Sequence, residues 1–173
     1  MTKSTYKMIQ LLLSLVTLFV LLSSLYYQYI EKMNPCPLCL MQRLCVILLL
    51  FIFFMGLITY KRIKLLSILQ ILMSCAGLYF SIRHLWLQSL PIGEAPACMP
   101  GLDTLIRYFP WQTVAHALFW GASDCAEETS KILGMTMPAW ATLYFFGMLV
   151  VGFILLFLQS STKHQNNSLR KHQ

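Results

Sequence analysis

Two cysteines three positions apart, Cys36 and Cys39, stand in the run Pro35-Cys36-Pro37-Leu38-Cys39-Leu40-Met41-Gln42-Arg43, between two long apolar stretches. Four chemistries use such a pair: a zinc knuckle, a haem attachment, a structural disulfide and a redox couple. Haem attachment needs His directly after the second cysteine, and Leu40 stands there. A zinc knuckle needs a second ligand pair at similar spacing; the chain has no second CxxC, so no metal is expected. A structural disulfide closing so small a loop adds little, because the stabilisation grows with loop length. The redox couple remains, since CxxC motifs favour the reactive thiolate.

The neighbours suit that chemistry. Pro37 has no amide hydrogen to lose and fits the first turn of a helix, which predicts Cys36 as a helix cap with Cys39 one turn in. A thiolate there feels the positive end of the helix dipole. Arg43, four residues after Cys39, falls on the same helical face. It is either an interfacial arginine that snorkels or a permanent cation that stabilises a thiolate and holds the polar head of a lipid-soluble oxidant. Position leaves both readings open.

The elements that must hold this stretch are membrane spans. Of 173 residues, 58% are hydrophobic and only 11% charged, against about 25% charged in soluble domains. Apolar runs predict four spans, at about 8–30, 44–60, 65–82 and 138–158, each near the roughly 20 residues needed to cross a hydrocarbon core. The first is too long for the apolar part of a signal peptide and is followed by no A-x-A-like site, so it reads as an uncleaved anchor. Tyr26, Tyr27 and Tyr29 mark its far interface. Loops are expected at about 31–43 and 83–137, and a polar, basic, disordered tail over 160–173. The expected architecture is a single all-α integral membrane domain over 1–173: a four-helix transmembrane bundle with one long loop.

Orientation follows from the cations. Lys3, Lys7, Lys61, Arg62, Lys64, Lys163, Arg170 and Lys171 collect on one side, which the positive-inside rule makes cytoplasmic, with both termini. The net charge of +7 is dispersed at span ends and forms no stripe, so no nucleic-acid partner is expected. Cys36, Cys39, Cys98 and Cys125 then share the outer face, where disulfides persist if the compartment is oxidising. Cys98 and Cys125 stand about 27 residues apart in the long loop, either as a stabilising disulfide or as an exchangeable one. Asp124 and Glu127 suit a capping box for a short helix ending near Gly134. The aromatic stretch from Leu102 to Trp120 suits the membrane interface, with loop packing as the alternative. Cys45 and Cys75 lie within spans as small hydrophobes and receive no role.

The contexts NPCPLCLMQR, SIRHLWLQSLP, PACMPGLD and GASDCAEETSKILGMTMPAW resemble, in order and spacing, the DsbB family of bacterial disulfide bond formation proteins. The resemblance covers nearly all of the chain between its tails. It implies a protein-dithiol:quinone oxidoreductase of the bacterial inner membrane, with its active cysteines facing the periplasm. Such an enzyme reoxidises a periplasmic DsbA-like thiol oxidase and passes electrons to a membrane quinone, ubiquinone or menaquinone. It also implies the residue roles: Cys36 and Cys39 as the quinone-coupled pair, Cys98 and Cys125 as the pair that meets the partner, and Arg43, His84 and Met137 near the quinone. Pro37 within the CxxC and the nearby Cys45 are departures that remove no required residue. The rivals are a vitamin K epoxide reductase-like protein, whose membrane CxxC would sit in a late span, a paralogue serving a dedicated DsbA-like partner, and a structural four-span protein with a stapled loop.

Overall fold

The computed structural model describes residues 3–30, 36–59, 62–90, 104, 107–121 and 134–170. Among them the regular elements are helices: α1 (Lys3–Tyr29), α2 (Pro37–Ile58), α3 (Ile63–Gln88), a short α4 (Trp111–Trp120) and α5 (Met137–Arg170). Four of these hold segments long and apolar enough to cross a membrane: Ser4–Tyr29, Pro37–Ile58, Ile63–Gln88 and Met137–Gln159. A helix is the economical solution there, because it satisfies every internal backbone N–H and C=O without water. Large apolar side chains such as Leu12, Phe19, Phe51, Leu72 and Phe153 face outward from the bundle, where lipid, not water, is the solvent that fits them.

The helices pack in a closed order. α1 lies against α2, α2 against α3, and α3 against α5; the Tyr144 hydroxyl donates to Thr17 Oγ1 at 2.9 Å and joins α5 to α1. Lipid tails are as apolar as leucine, so close packing and interhelical hydrogen bonds must hold the bundle. Gly77 allows a close approach: a Cβ there would stand 2.2 Å from the Phe145 ring. Gln70 Nε2 donates to the Met148 carbonyl at 3.0 Å across the α3–α5 contact, and Gln159 Nε2 donates to Ser67 Oγ at 3.0 Å nearer the helix ends. Leu38, Leu49, Phe53, Phe80, Leu87, Phe145 and Met148 form the apolar core, which also takes in Cys36 and Cys45.

The helix ends differ from the limits of the apolar runs. α2 begins at Pro37, seven residues ahead of Leu44, because the CxxC is itself the first turn. α3 continues to Gln88, past the charge at Arg83. That cation ends the apolar run without ending the helix: its Nε donates to the Trp120 carbonyl at 3.2 Å and its guanidinium lies 4.2 Å from the Trp86 ring centre. The stretch 160–170, expected as disordered tail, instead continues α5. It contains neither Gly nor Pro to stop the helix.

Candidate redox site

Cys36 is the N-cap of α2, with extended backbone at φ −70 and ψ 163, and Pro37 opens the helix behind it. The cap is made by sulfur: Cys36 Sγ accepts from the Cys39 amide at 3.4 Å and donates to Cys39 Sγ at 3.3 Å. One helical turn thus brings the two sulfurs into contact. Cys36 is buried and Cys39 half-buried, so the second cysteine is the more exposed residue of the two.

The third member of the cluster comes from α3. His84 is only 2% exposed, and its ring lies against both cysteines, with Nε2 3.9 Å from Cys36 Sγ and Nδ1 3.8 Å from Cys39 Sγ. A neutral imidazole offers one donor and one acceptor nitrogen, so it can give a hydrogen bond to one sulfur while taking one from the other. Proton movement between the two thiols and the ring therefore needs no rearrangement of backbone.

Leu38, between the cysteines, is fully buried. Its cover is the end of α4: a Cβ on Gly121 would lie 2.9 Å from Leu38 Cδ1 and 2.5 Å from Leu87 Cδ1. Gly121 adopts φ 86 and ψ 164, a region essentially reserved for glycine. The chain can leave α4 directly over the CxxC only because that residue has no side chain. Phe119 packs near Phe80 with ring centres 5.9 Å apart, which fastens the same cover to α3.

Arg43 points toward α1. Its Nε donates to Ser24 Oγ at 3.2 Å, its NH2 group donates to the same oxygen at 3.0 Å and to the Ser24 carbonyl at 3.3 Å, and NH1 donates to Gln28 Oε1. Tyr26 and Tyr29, in the same last turns of α1, are exposed, as suits the aromatic belt of a membrane interface. Gln42, beside Arg43 and one turn after Cys39, is buried, and its Nε2 has no hydrogen-bond partner among the described residues.

Of the residues singled out from the sequence, Cys36, Cys39 and His84 are brought together. Arg43 stands one turn further along α2, and Met137 is the half-buried first residue of α5. Cys98 and Cys125, with the proposed capping residues Asp124 and Glu127, lie outside the described residues. Cys45 is buried in the core, whereas Cys75 faces outward from a spanning helix. Sequence reasoning missed Ser24, Gln28 and Gln42. The signal for the first two was present as polar residues in an otherwise apolar last third of α1.

Cys36 and Cys39 form a dithiol in the first turn of a helix long and apolar enough to cross a membrane. The profile of the disulfide bond formation protein DsbB family matches residues 6–155. The chain is 34% identical over 140 residues to disulfide bond formation protein B of Nitrosococcus oceani, covering 79% of this chain and 81% of that one. It is 37% identical over 132 residues to the protein of that name from Chromohalobacter salexigens, covering 74% and 77%, and 31% identical over 156 residues to that from Marinobacter nauticus, covering 88% and 92%. The chain belongs to the DsbB family, and is an integral inner-membrane oxidoreductase of disulfide bond formation.

Proposed function

We propose that the protein reoxidises the dithiol of a periplasmic DsbA-like thiol oxidase and delivers the two electrons to a membrane quinone of the ubiquinone or menaquinone type. The observation that carries this reading is the contact of Cys36, Cys39 and His84 at the start of a spanning helix, in a chain of this family.

The relay runs through two cysteine pairs. A thiolate of the reduced partner attacks the Cys98–Cys125 disulfide at Cys98, giving a mixed disulfide and a free Cys125 thiolate. The partner's second thiolate then attacks its own half of the mixed bond, and the partner leaves oxidised while Cys98 and Cys125 are left as thiols. Exchange with the Cys36–Cys39 disulfide returns Cys98 and Cys125 to the oxidised state and leaves Cys36 and Cys39 reduced. Each exchange requires a thiolate attacker. For the last transfer, His84 takes the proton from one thiol of the pair, and the two sulfurs join as two electrons and two protons leave.

Quinone, when bound, supplies the acceptor for those two electrons and two protons. The residues suit such a group: Gln42 Nε2 is a buried donor with no partner among the described residues, Arg43 beside it carries a cluster of N–H donors held in place by α1, and Cys39 is the more exposed cysteine of the pair. Gln42 and Arg43 would hold ring oxygens near Cys39. Met137 contributes apolar cover at the head of α5. A strong acceptor is required on energetic grounds, because a DsbA-type couple lies near about −120 mV and ordinary disulfides are too reducing to restore it.

This reading places the cysteine pairs on the periplasmic side and both termini in the cytoplasm. Purified protein supplied with quinone should oxidise reduced DsbA catalytically, and a Cys125→Ser variant should accumulate a mixed disulfide between Cys98 and the partner. In spheroplasts, a membrane-impermeant maleimide should label reduced Cys98 from outside. Normal turnover by Cys39→Ser would overturn the assignment.

A further inference from the structure

We propose that the reduced Cys36–Cys39 pair and His84 form a three-ligand site for one thiophilic metal ion of the zinc class, and that the bound ion blocks reoxidation of the pair. The spacing argument against a metal considered only a second cysteine pair; the structure supplies the third donor from a different helix.

The donor atoms already have the dimensions of a metal site. One ligand atom from each of Cys36, Cys39 and His84 can be chosen so that all lie within 4.8 Å of one another; the sulfurs are 3.3 Å apart, and each faces an imidazole nitrogen at 3.8 or 3.9 Å. Zn–S bonds of about 2.3 Å and Zn–N bonds of about 2.0 Å in a tetrahedron place sulfurs roughly 3.8 Å apart and sulfur and nitrogen roughly 3.5 Å apart. One ring nitrogen serves both sulfur–nitrogen edges, so one of them shortens by a few tenths of an ångström, the other, at most 4.8 Å long, shortens by no more than about 1.3 Å, and the sulfurs separate by about 0.5 Å. Preorganisation is strong, because Cys36 is fixed as a helix cap, Cys39 lies in the first turn and His84 is buried on α3. Two thiolates with an imidazole make a soft donor set that selects zinc or cuprous ions over magnesium or calcium. Three protein ligands leave a fourth position for water, as in open zinc sites.

Binding is a proton exchange without electron transfer. The two thiols release two protons, and the divalent ion takes two thiolates and one neutral ring nitrogen. A disulfide offers no thiolate, so only the reduced pair binds. A bound ion in turn commits the sulfur electron pairs needed for closing the S–S bond. The inhibitory half of the proposal rests on the quinone-coupled function above; the metal-binding half does not.

The test uses the full chain in detergent or nanodiscs, as Cys98→Ser/Cys125→Ser so that the loop thiols cannot contribute. Zn2+ bound after gel filtration is measured, with Co2+ as a spectroscopic probe for thiolate-to-metal charge transfer. One ion per chain is expected in the reduced protein and none in the oxidised protein. Cys36→Ser and Cys39→Ser should abolish the charge-transfer bands or halve them, and Cys45→Ala should change nothing. His84→Ala should weaken binding by more than about 100-fold, since loss of a group that merely orients a ligand costs 10–100-fold; His84→Cys, which restores a donor, should recover it. In the protein with all its cysteines, Zn2+ should inhibit quinone-linked turnover, and a chelator should reverse the inhibition. Full binding by His84→Ala, binding lost with Cys45→Ala, or equal binding to the oxidised protein would overturn the site. One ion per reduced chain with no quinone-linked turnover would leave the site standing and sink the function. Turnover unaffected by a saturating ion would overturn the inhibitory half alone.

Discussion

His84 Nδ1 lies 3.8 Å from Cys39 Sγ, although 45 residues separate the two in the chain. The contact joins the first turn of α2 to the last turns of α3, and it gives the dithiol a proton acceptor within the protein. Replacing His84 by Ala should therefore slow quinone-linked reoxidation of Cys36 and Cys39 by about 10²-fold or more, the usual weight of a positioned acid–base group. Rapid mixing of reduced protein with quinone measures this step. Exchange between reduced DsbA and the loop pair, followed separately, should be unchanged.

Cys39→Ser should bring partner oxidation down to the rate seen with quinone alone. Cys36→Ser should do the same, because the disulfide requires both sulfurs. The assay is steady-state oxidation of reduced DsbA. Cys75→Ser, at an outward-facing position, serves as the control and should keep full turnover.

For Arg43, the measurement is the apparent quinone requirement. Arg43→Ala should raise it, and Arg43→Lys should restore only part of the loss, since an ammonium cannot reproduce the planar fork. The same change removes charge-assisted hydrogen bonds to Ser24 and Gln28, each of order 1.5–3 kcal/mol, so thermal stability should fall as well. Ser24→Ala should lower stability while leaving the requirement for quinone nearly intact. If Arg43→Ala lowers stability alone, the arginine is an anchor and no more.

Gly121→Ala forces a Cβ into Leu38 and Leu87 at a backbone conformation whose strain is of order 1–3 kcal/mol. The expected result is a loosened cover over the CxxC, read as faster alkylation of Cys36 and Cys39 at constant pH. Unchanged alkylation would show that α4 does not seal the pair.

Gly77→Leu tests the bundle itself. Overpacking a filled site costs about 1–3 kcal/mol, and the Phe145 ring leaves no space beside Gly77. Tyr144→Phe, which removes only the bond to Thr17, should cost close to the ~0.6 kcal/mol average for hydrogen bonds between membrane helices. Denaturation in mixed micelles ranks the two variants.

Much of this was legible in the residues. Apolar run length gave the four spans, and Pro37 after Cys36 gave the sulfur cap on α2, because each is a local property of the chain. The end of α3 was not legible: Arg83 breaks the hydropathy pattern but not the helix, since its charge is met by Trp86 and the Trp120 carbonyl. The partners of Arg43 were hidden for a related reason. Helical spacing puts Arg43 on the side of Cys39 but does not say which neighbour its long side chain reaches, and it reaches α1 while Cys39 meets α3. Gly121 stood in a stretch with no periodicity to read, and its meaning depends on where Leu38 and Leu87 end up in space.

The clamp between Arg43 and α1 also bears on how the protein is made. An arginine at the edge of the hydrocarbon is costly until its donors are met, and the acceptors are Ser24 and Gln28 on the helix synthesised just before it. Ser24 and Gln28 precede Arg43 in the chain, so the acceptors are synthesised before the charge that they meet. Moving Ser24 and Gln28 to a later helix would leave the active-site turn waiting in lipid with its cation bare. The order of the two helices along the chain thus lets the cation meet its acceptors without waiting for a later helix.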